Sequence, residues 1–233
     1  MSARQTEALV VDDEQALRNF VRRNLEVRNF HVHTAANGLE ALAHFHARAI
    51  DLVILDLMMP NMDGLETIRR IRQTSQVPII VLSALGEEED KIRAFKLGAD
   101  DYLTKPFGVG ELLVRIQAVM RRAQWSTHPA TTTTTQIAHN DLIVDLERHR
   151  VSRGDAVIDL TPIEFELLVY LMENAGKVLT HRAILQHVWG EEYGQESEYL
   201  RVYVGRLRQK IEPDSAKPRY ILTERGVGYV FGG

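Results

Sequence analysis

The chain has 233 residues, 45 % hydrophobic and 26 % charged, with no cysteine and a formal net charge of -4. That length suggests one or two domains, and the composition is that of an ordinary globular protein rather than a disordered or fibrous one. The missing cysteines exclude disulfides and thiolate metal sites and fit a reducing cytoplasm. The apolar run at residues 8–11 is too short for a signal peptide, and no run approaches membrane-spanning length.

In chain order, strand-like and helix-like patterns alternate through the first half. Residues 8–11 are apolar, and 14–29 are helical with Leu17, Val21 and Leu25 on one face. Strand-like 31–35 precedes helical 38–47, and strand 52–56 precedes a helix at 64–72 after the turn "NMDG". Residues 78–83 are the most β-rich run, followed by helical 87–96, a short strand at 101–104 and a last helix at 109–122. Five β/α repeats of this length predict a parallel sheet with helices on both faces and all strand C-termini at one edge. The domain is expected over residues 1–122.

Residues 123–136, "AQWSTHPATTTTTQ", carry a Pro, five consecutive Thr and little apolar periodicity, which predicts a flexible linker. A second domain is expected over 137–233. It starts with short strands at 142–145, 150–153 and 156–160, continues with helices at 161–174, 180–188 and 196–212, and closes on the hairpin "RYILTERGVGYVF". Strands, three helices and a terminal hairpin predict a winged helix-turn-helix fold. Thr161, Pro162 and Glu164 have the spacing of a capping box with proline at the first helical position. On the third helix Leu200, Val204, Leu207 and Ile211 form the buried stripe, and Val202, Arg206 and Gln209 point roughly the other way. Residues 200–226 hold seven basic side chains against three acids, although 137–233 as a whole is acidic. Positive charge concentrated on one helix and one hairpin suits a DNA groove.

An acid inside the apolar run "DLVILDLMMP" needs a reason. Asp56 ends the third strand, and Asp12 and Asp13 end the first. In the flavodoxin-like order 2-1-3-4-5, strands one and three are neighbours where the strand order reverses, so three carboxylates converge in one crevice. Such a cluster calls for a cation, and three hard oxygen donors suit Mg2+. Ser83 ends strand four, and Lys105 follows strand five, placed to bind phosphoryl oxygens. Pro106 restricts the backbone beside Lys105 and admits a cis bond.

With "VVDDE", "LDLMMPNMDG", "VLSA" and "DDYLTKPF", residues 7–122 resemble the receiver domains of two-component response regulators. The resemblance implies that Asp56 accepts a phosphoryl group from a sensor histidine kinase. It implies that Asp12, Asp13, Asp56 and the Met58 carbonyl hold Mg2+, that Lys105 binds the phosphoryl group, and that Ser83 and Tyr102 form the switch. A homodimer through the face of the fourth helix, fifth strand and fifth helix is implied too, with Lys91, Asp100, Asp101, Glu111, Arg115 and Arg122 as its charges. Residues 137–231 resemble the winged-helix effector of the OmpR/PhoB family. That implies double-stranded promoter DNA as partner, and RNA polymerase as a further contact. Val202 and Arg206 match base-reading positions, Tyr203, Arg208 and Trp189 match backbone-contacting positions, and Arg225 matches the wing arginine. Trp189 reads equally well as a packing residue. "KPFGVGEL", "NAGKVLT" and "EYLRVYVGRLRQKIE" resemble the branch of the family that governs potassium uptake.

An aspartyl-phosphate phosphatase is the enzyme alternative, but its acid/base Asp would stand where Met58 is. A transcription factor that uses the receiver only as a dimer scaffold is the second, and the complete acid, serine and lysine set argues against it. The chain is therefore expected to be no turnover enzyme. The pairs His31/His33 and His44/His46 could in principle hold a metal, though surface histidines are commoner.

Overall fold

A computed structural model describes residues 4–124, 136–191, 193–194 and 197–232. The chain divides into two compact units, residues 1–120 and 121–233. Most of the expected Thr-rich linker lies outside the described residues.

The first unit holds β1 (Thr6–Val11), α1 (Gln15–Glu26), β2 (Phe30–Ala35), α2 (Gly38–Ala47), β3 (Leu52–Leu55), α3 (Gly64–Arg72), β4 (Ile79–Ser83), α4 (Glu88–Leu97) and β5 (Asp101–Thr104), and α5 (Val109–Gln124) follows. The five strands are parallel in the order β2-β1-β3-β4-β5, as the repeat pattern predicts. Residues of β1, β3 and β4 are apolar on both faces because helices cover both. Ala8, Val10, Leu52, Ile54, Ile80 and Leu82 build one core layer with Val21, Leu25, Leu112 and Ile116. The helices start where side-chain oxygens take up free backbone donors: Asn37 caps α2 and Asp63 caps α3. Val11 pairs with Leu55, which brings the ends of β1 and β3 level and sets Asp12 beside Asp56.

In the second unit, β6 (Gln136–His139), β7 (Leu142–Asp145), β8 (Arg150–Arg153) and β9 (Ala156–Ile158) form an antiparallel sheet. Three helices follow, α6 (Pro162–Glu173), α7 (His181–Val188) and α8 (Ser197–Ile211). A second sheet orders β10 (Val178–Thr180), β12 (Gly228–Phe231) and β11 (Ile221–Glu224). The Thr161–Glu164 capping box forms, with both reciprocal bonds present. The expected stripe of α8 is buried, and Tyr203 is buried with it. Strands β6 and β10 are not evident in the sequence pattern: each is three or four residues long and is stabilised by pairing with β7 or β12.

Candidate functional site

The carboxylates of Asp12, Asp13 and Asp56 converge at the C-terminal edge of the parallel sheet, with ligand oxygens within 4.8 Å of one another. The chain itself holds them there. The Asp12 N–H donates to the Ala35 carbonyl at 3.1 Å, and the Asp56 N–H to the Val11 carbonyl at 2.8 Å, so both loops continue the sheet ladder. Asp12 Oδ1 accepts from the Glu14 N–H at 2.8 Å, and Asp56 Oδ1 from the Leu57 N–H at 2.7 Å. Arg18 Nη1 binds the carbonyls of Asp12 and Asp13 and fixes the turn into α1. Gly64 lets α3 approach this loop: a Cβ there would stand 2.2 Å from the Asp56 carbonyl oxygen.

Lys105 closes the crevice. Its Nζ lies 2.7 Å from Asp12 Oδ2 and 2.7 Å from Asp56 Oδ2. Its backbone N–H donates to the Ser83 carbonyl, and the peptide before Pro106 is cis. Burial pushes the Asp12 carboxyl above the usual range despite the lysine. At Lys105 burial opposes the charge, but the bonds to Asp12 and Asp56 outweigh it and hold the ammonium above its ordinary value. The mutual bonds favour the charged form of both groups, but desolvation prevails at Asp12, which is nearly sealed, and not at the lysine head, which is partly exposed. Asp13 and Met58 are exposed at the mouth of the crevice. Ser83 is buried, with its Oγ accepting from the Leu85 N–H at 3.2 Å. Tyr102 is buried, and its hydroxyl donates to the Leu85 carbonyl. Ser83 and Tyr102 thus both hold the backbone of the same residue in the β4–α4 loop.

The expected dimer charges are already engaged within the chain. Arg115 reaches Asp101 Oδ1 and Glu111 Oε1, each at 3.0 Å. The Lys91 ammonium lies 5.8 Å from the Tyr102 ring centroid. Asp100 departs from the expectation: it is buried, accepting from the Ile79 N–H and from Arg72 Nη2, both at 2.8 Å, and so braces α3 and β4. Arg122 also departs from it. It groups with the second unit, is buried, and donates to the Val188 carbonyl at 2.7 Å.

In the second unit several residues expected at DNA are structural. Tyr203 has no exposed surface, Trp189 is buried, and the two rings meet edge to face with centroids 5.0 Å apart. Neither side chain can touch a phosphate from there, so the expected backbone contact of Tyr203 is corrected to packing, and of the two readings of Trp189 the structure supports packing. Arg206 turns away from solvent: its side chain is 12 % exposed and its Nη2 lies 2.7 Å from Glu164 Oε1. Lys210 takes the other carboxylate oxygen of Glu164, also at 2.7 Å. Arg208 donates to the Ile221 carbonyl and to Thr223 Oγ1, joining α8 to β11. Burial pulls its guanidinium below the ordinary arginine value. On the outward side of α8, Arg201 and Gln209 are exposed and Val202 and Gly205 are half-buried, with Arg225 exposed on the hairpin between β11 and β12.

Residues 8–117 match the model of the response regulator receiver domain, and 154–231 match that of the transcriptional regulatory protein C-terminal domain. The chain is also 50 % identical over 230 residues to the KDP operon transcriptional regulatory protein KdpE of Escherichia coli K12, covering 97 % of this chain and 99 % of that one. The chain belongs to the OmpR/PhoB family of response regulators. Among solved structures, this response regulator is similar to DrrB, an OmpR/PhoB homologue of Thermotoga maritima. There the identity is 33 %, the TM-score 0.53, and 99 % of this chain and all of that one are covered. A mutant of RitR is similar at 28 % identity and TM-score 0.75, with 98 % of this chain and all of that one covered.

The response regulator is thus a phosphorylation-dependent, DNA-binding transcriptional regulator of a two-component system, of KdpE-like type. Its place in such a system implies a sensor kinase and DNA as partners. Both family models describe regulatory domains, and neither is that of an enzyme. Among the described residues, no helix is long and apolar enough to cross a membrane. Two residues that shape the site do not stand out as such in the sequence. Gly64 is legible there only as part of a turn, although the pair Asp63-Gly64 before a helix signals a close approach. Glu164 is legible as a capping residue, and its second task, gathering Arg206 and Lys210, depends on tertiary packing.

Proposed function

We propose that Asp56 is the phosphoacceptor of this regulator and takes its phosphoryl group from the phosphohistidine of a sensor histidine kinase. The observation that carries this reading is Lys105 Nζ, 2.7 Å from both Asp12 and Asp56 at the ligand-binding edge of the sheet. Mg2+ fits the donor set: Asp12, Asp13 and Asp56 offer hard oxygens with no sulfur or imidazole among them, and the Met58 carbonyl would add a fourth. When bound, Mg2+ supplies charge neutralisation at the phosphoryl oxygens. An Asp56 carboxylate oxygen attacks phosphorus in line. Its O–P bond forms as the P–N bond to the donor imidazole breaks, and Asp56 loses no proton. Lys105 shifts from the carboxylates to the transferred phosphoryl oxygens.

The new charge draws the Ser83 hydroxyl away from the Leu85 N–H to donate to a phosphoryl oxygen. Tyr102 follows, because its hydroxyl holds the carbonyl of that same Leu85. This differential contact biases the face of α4, β5 and α5 toward a two-fold homodimer. Lys91, Asp101, Glu111 and Arg115 exchange partners across it.

In the cytoplasm, the dimer places α8 in the major groove of double-stranded promoter DNA, with Arg225 entering the minor groove. RNA polymerase is contacted from the bound promoter. The similarity to KdpE supports control of potassium uptake as the output. To test the reading, the protein and Asp56→Asn are incubated with acetyl phosphate and Mg2+ and weighed intact. The expected result is one added phosphoryl mass in the first and none in the second. A phosphorylated Asp56→Asn protein would remove the assignment.

A further inference from the structure

The edge of the sheet farthest from the proposed dimer face carries a second group of potential ligands. β2 is the edge strand beside β1. His31 and His33 are two residues apart on it and so share a face, and His31 is in register with Glu7 of β1. The Glu7 carboxylate lies between the two rings: its Oε2 is 3.0 Å from His31 Nδ1 and 2.8 Å from His33 Nε2. These hydrogen bonds hold Glu7 below the usual carboxylate range, so it is ionised at neutral pH. The His33 ring is mostly buried and is held from the side by His44 of α2, with ring centroids 5.8 Å apart.

We propose that Glu7, His31 and His33 form a cation site for a borderline divalent transition ion, of the class of Zn2+, Co2+ or Ni2+. Two imidazoles and a carboxylate are the donor set such ions prefer, and Mg2+ does not favour imidazole. The three ligand atoms already lie within 4.8 Å of one another. A tetrahedral ion with ligands near 2.0–2.1 Å separates its donors by about 3.3 Å, so the carboxylate would part from each ring by ~0.3–0.5 Å while the two rings settle to the same spacing. Water fills the fourth position. His44 is not one of the three converging ligands; its Nδ1 is engaged by Arg48 Nη1 at 3.1 Å. The chemistry differs from that of the acid crevice at the other end of β1, which offers oxygen alone. Binding would add a side-chain clamp to the backbone pairing that already joins edge strand β2 to β1.

The full chain, free of any histidine tag, is titrated with Zn2+ by calorimetry and with Co2+ by visible absorption, with Mg2+ saturating throughout. One ion per chain is expected, with an unchanged affinity in Asp56→Asn. Replacing a ligand, as in Glu7→Gln or His33→Ala, is expected to weaken binding by at least roughly tenfold. His31 is more than half exposed, so His31→Ala keeps the fold if the other variants do not, and it is expected to lose the Co2+ ligand-field spectrum of the wild type. Wild-type affinity in the His31→Ala protein, or no Zn2+ binding by the wild type, would show that the three side chains are only an ion-paired cluster. Loss of binding in Asp56→Asn would move the ion to the acid crevice and overturn the proposal.

Discussion

Replacing Lys105 by Met tests the electrostatic logic of the crevice without touching a carboxylate. Lys105 is the cation bonded to both Asp12 and Asp56, whose side chains are 3 % and 6 % exposed. Removing one partner of a buried pair costs about 3–5 kcal/mol. The lysine head is 19 % exposed, so water already screens part of the attraction. Protonation sets a ceiling as well: neutralising one carboxyl near pH 7, from an ordinary pKa near 3.9, costs about 4 kcal/mol, and a stranded charge cannot cost more than that. The expected loss in Lys105→Met is therefore about 2–4 kcal/mol in the absence of divalent ions.

Saturating Mg2+ supplies the missing charge, so most of that loss should be recovered, and the variant should bind Mg2+ more tightly than the wild type, by linkage. Native-state hydrogen exchange of the β1 and β3 amides reads the receiver unit separately within the full chain. Below about pH 5 the penalty should fade as the stranded carboxyls take up protons. An equal loss with and without Mg2+ would refute the reasoning, since the lysine would then be acting through packing alone.

Four further outcomes are expected. Arg206→Ala should lower the stability of the second unit by about 1–3 kcal/mol in urea unfolding, because buried Glu164 loses one of the two cations that hold its carboxylate. Arg201→Ala and Arg225→Ala should each weaken DNA binding and lower the salt slope by about one unit, as titrations at several salt concentrations would show. Arg115→Glu should weaken dimerisation of the phosphorylated protein by roughly fivefold in sedimentation, a modest effect because Arg115 already has partners within its own chain. Burial pushes the Glu166 carboxyl up to about 7, so the folded state holds its proton more tightly than the unfolded state. That contribution is fully present below about pH 4.5 and is lost as pH rises through about 7, so Glu166→Gln should flatten the decline of thermal stability over this window.

The parallel sheet was legible because β3 and β4 are apolar runs, β1 ends in one, and helical patterns alternate with the strands. The acid crevice was legible because a carboxylate inside such a run has few places to go except a strand end. Helix α8 was legible as a buried stripe, but the direction of its long cations was not. Arg206 and Arg201 lie five residues apart and look alike in one dimension. Only the presence of Glu164 on α6 sends Arg206 inward, while Arg201 pairs locally with Glu198 and stays exposed. Asp100 and Asp101 are a similar case: adjacent residues on alternate faces, one meeting Arg72 of α3 and the other Arg115 of α5.

The clamp of Arg206 and Lys210 on Glu164 divides the third helix into positions open to change and positions closed to it. Tyr203, Leu207 and Arg206 are held by the core, and replacing them trades operator preference against folding. Arg201, Val202, Gly205 and Gln209 carry no such debt, and a Cβ added at Gly205 would meet nothing within 4 Å. Divergence of operator sequence among relatives, or its redesign in the laboratory, has a short alphabet of sites to draw on. A library varied at those four positions would keep its fold while its targets drift.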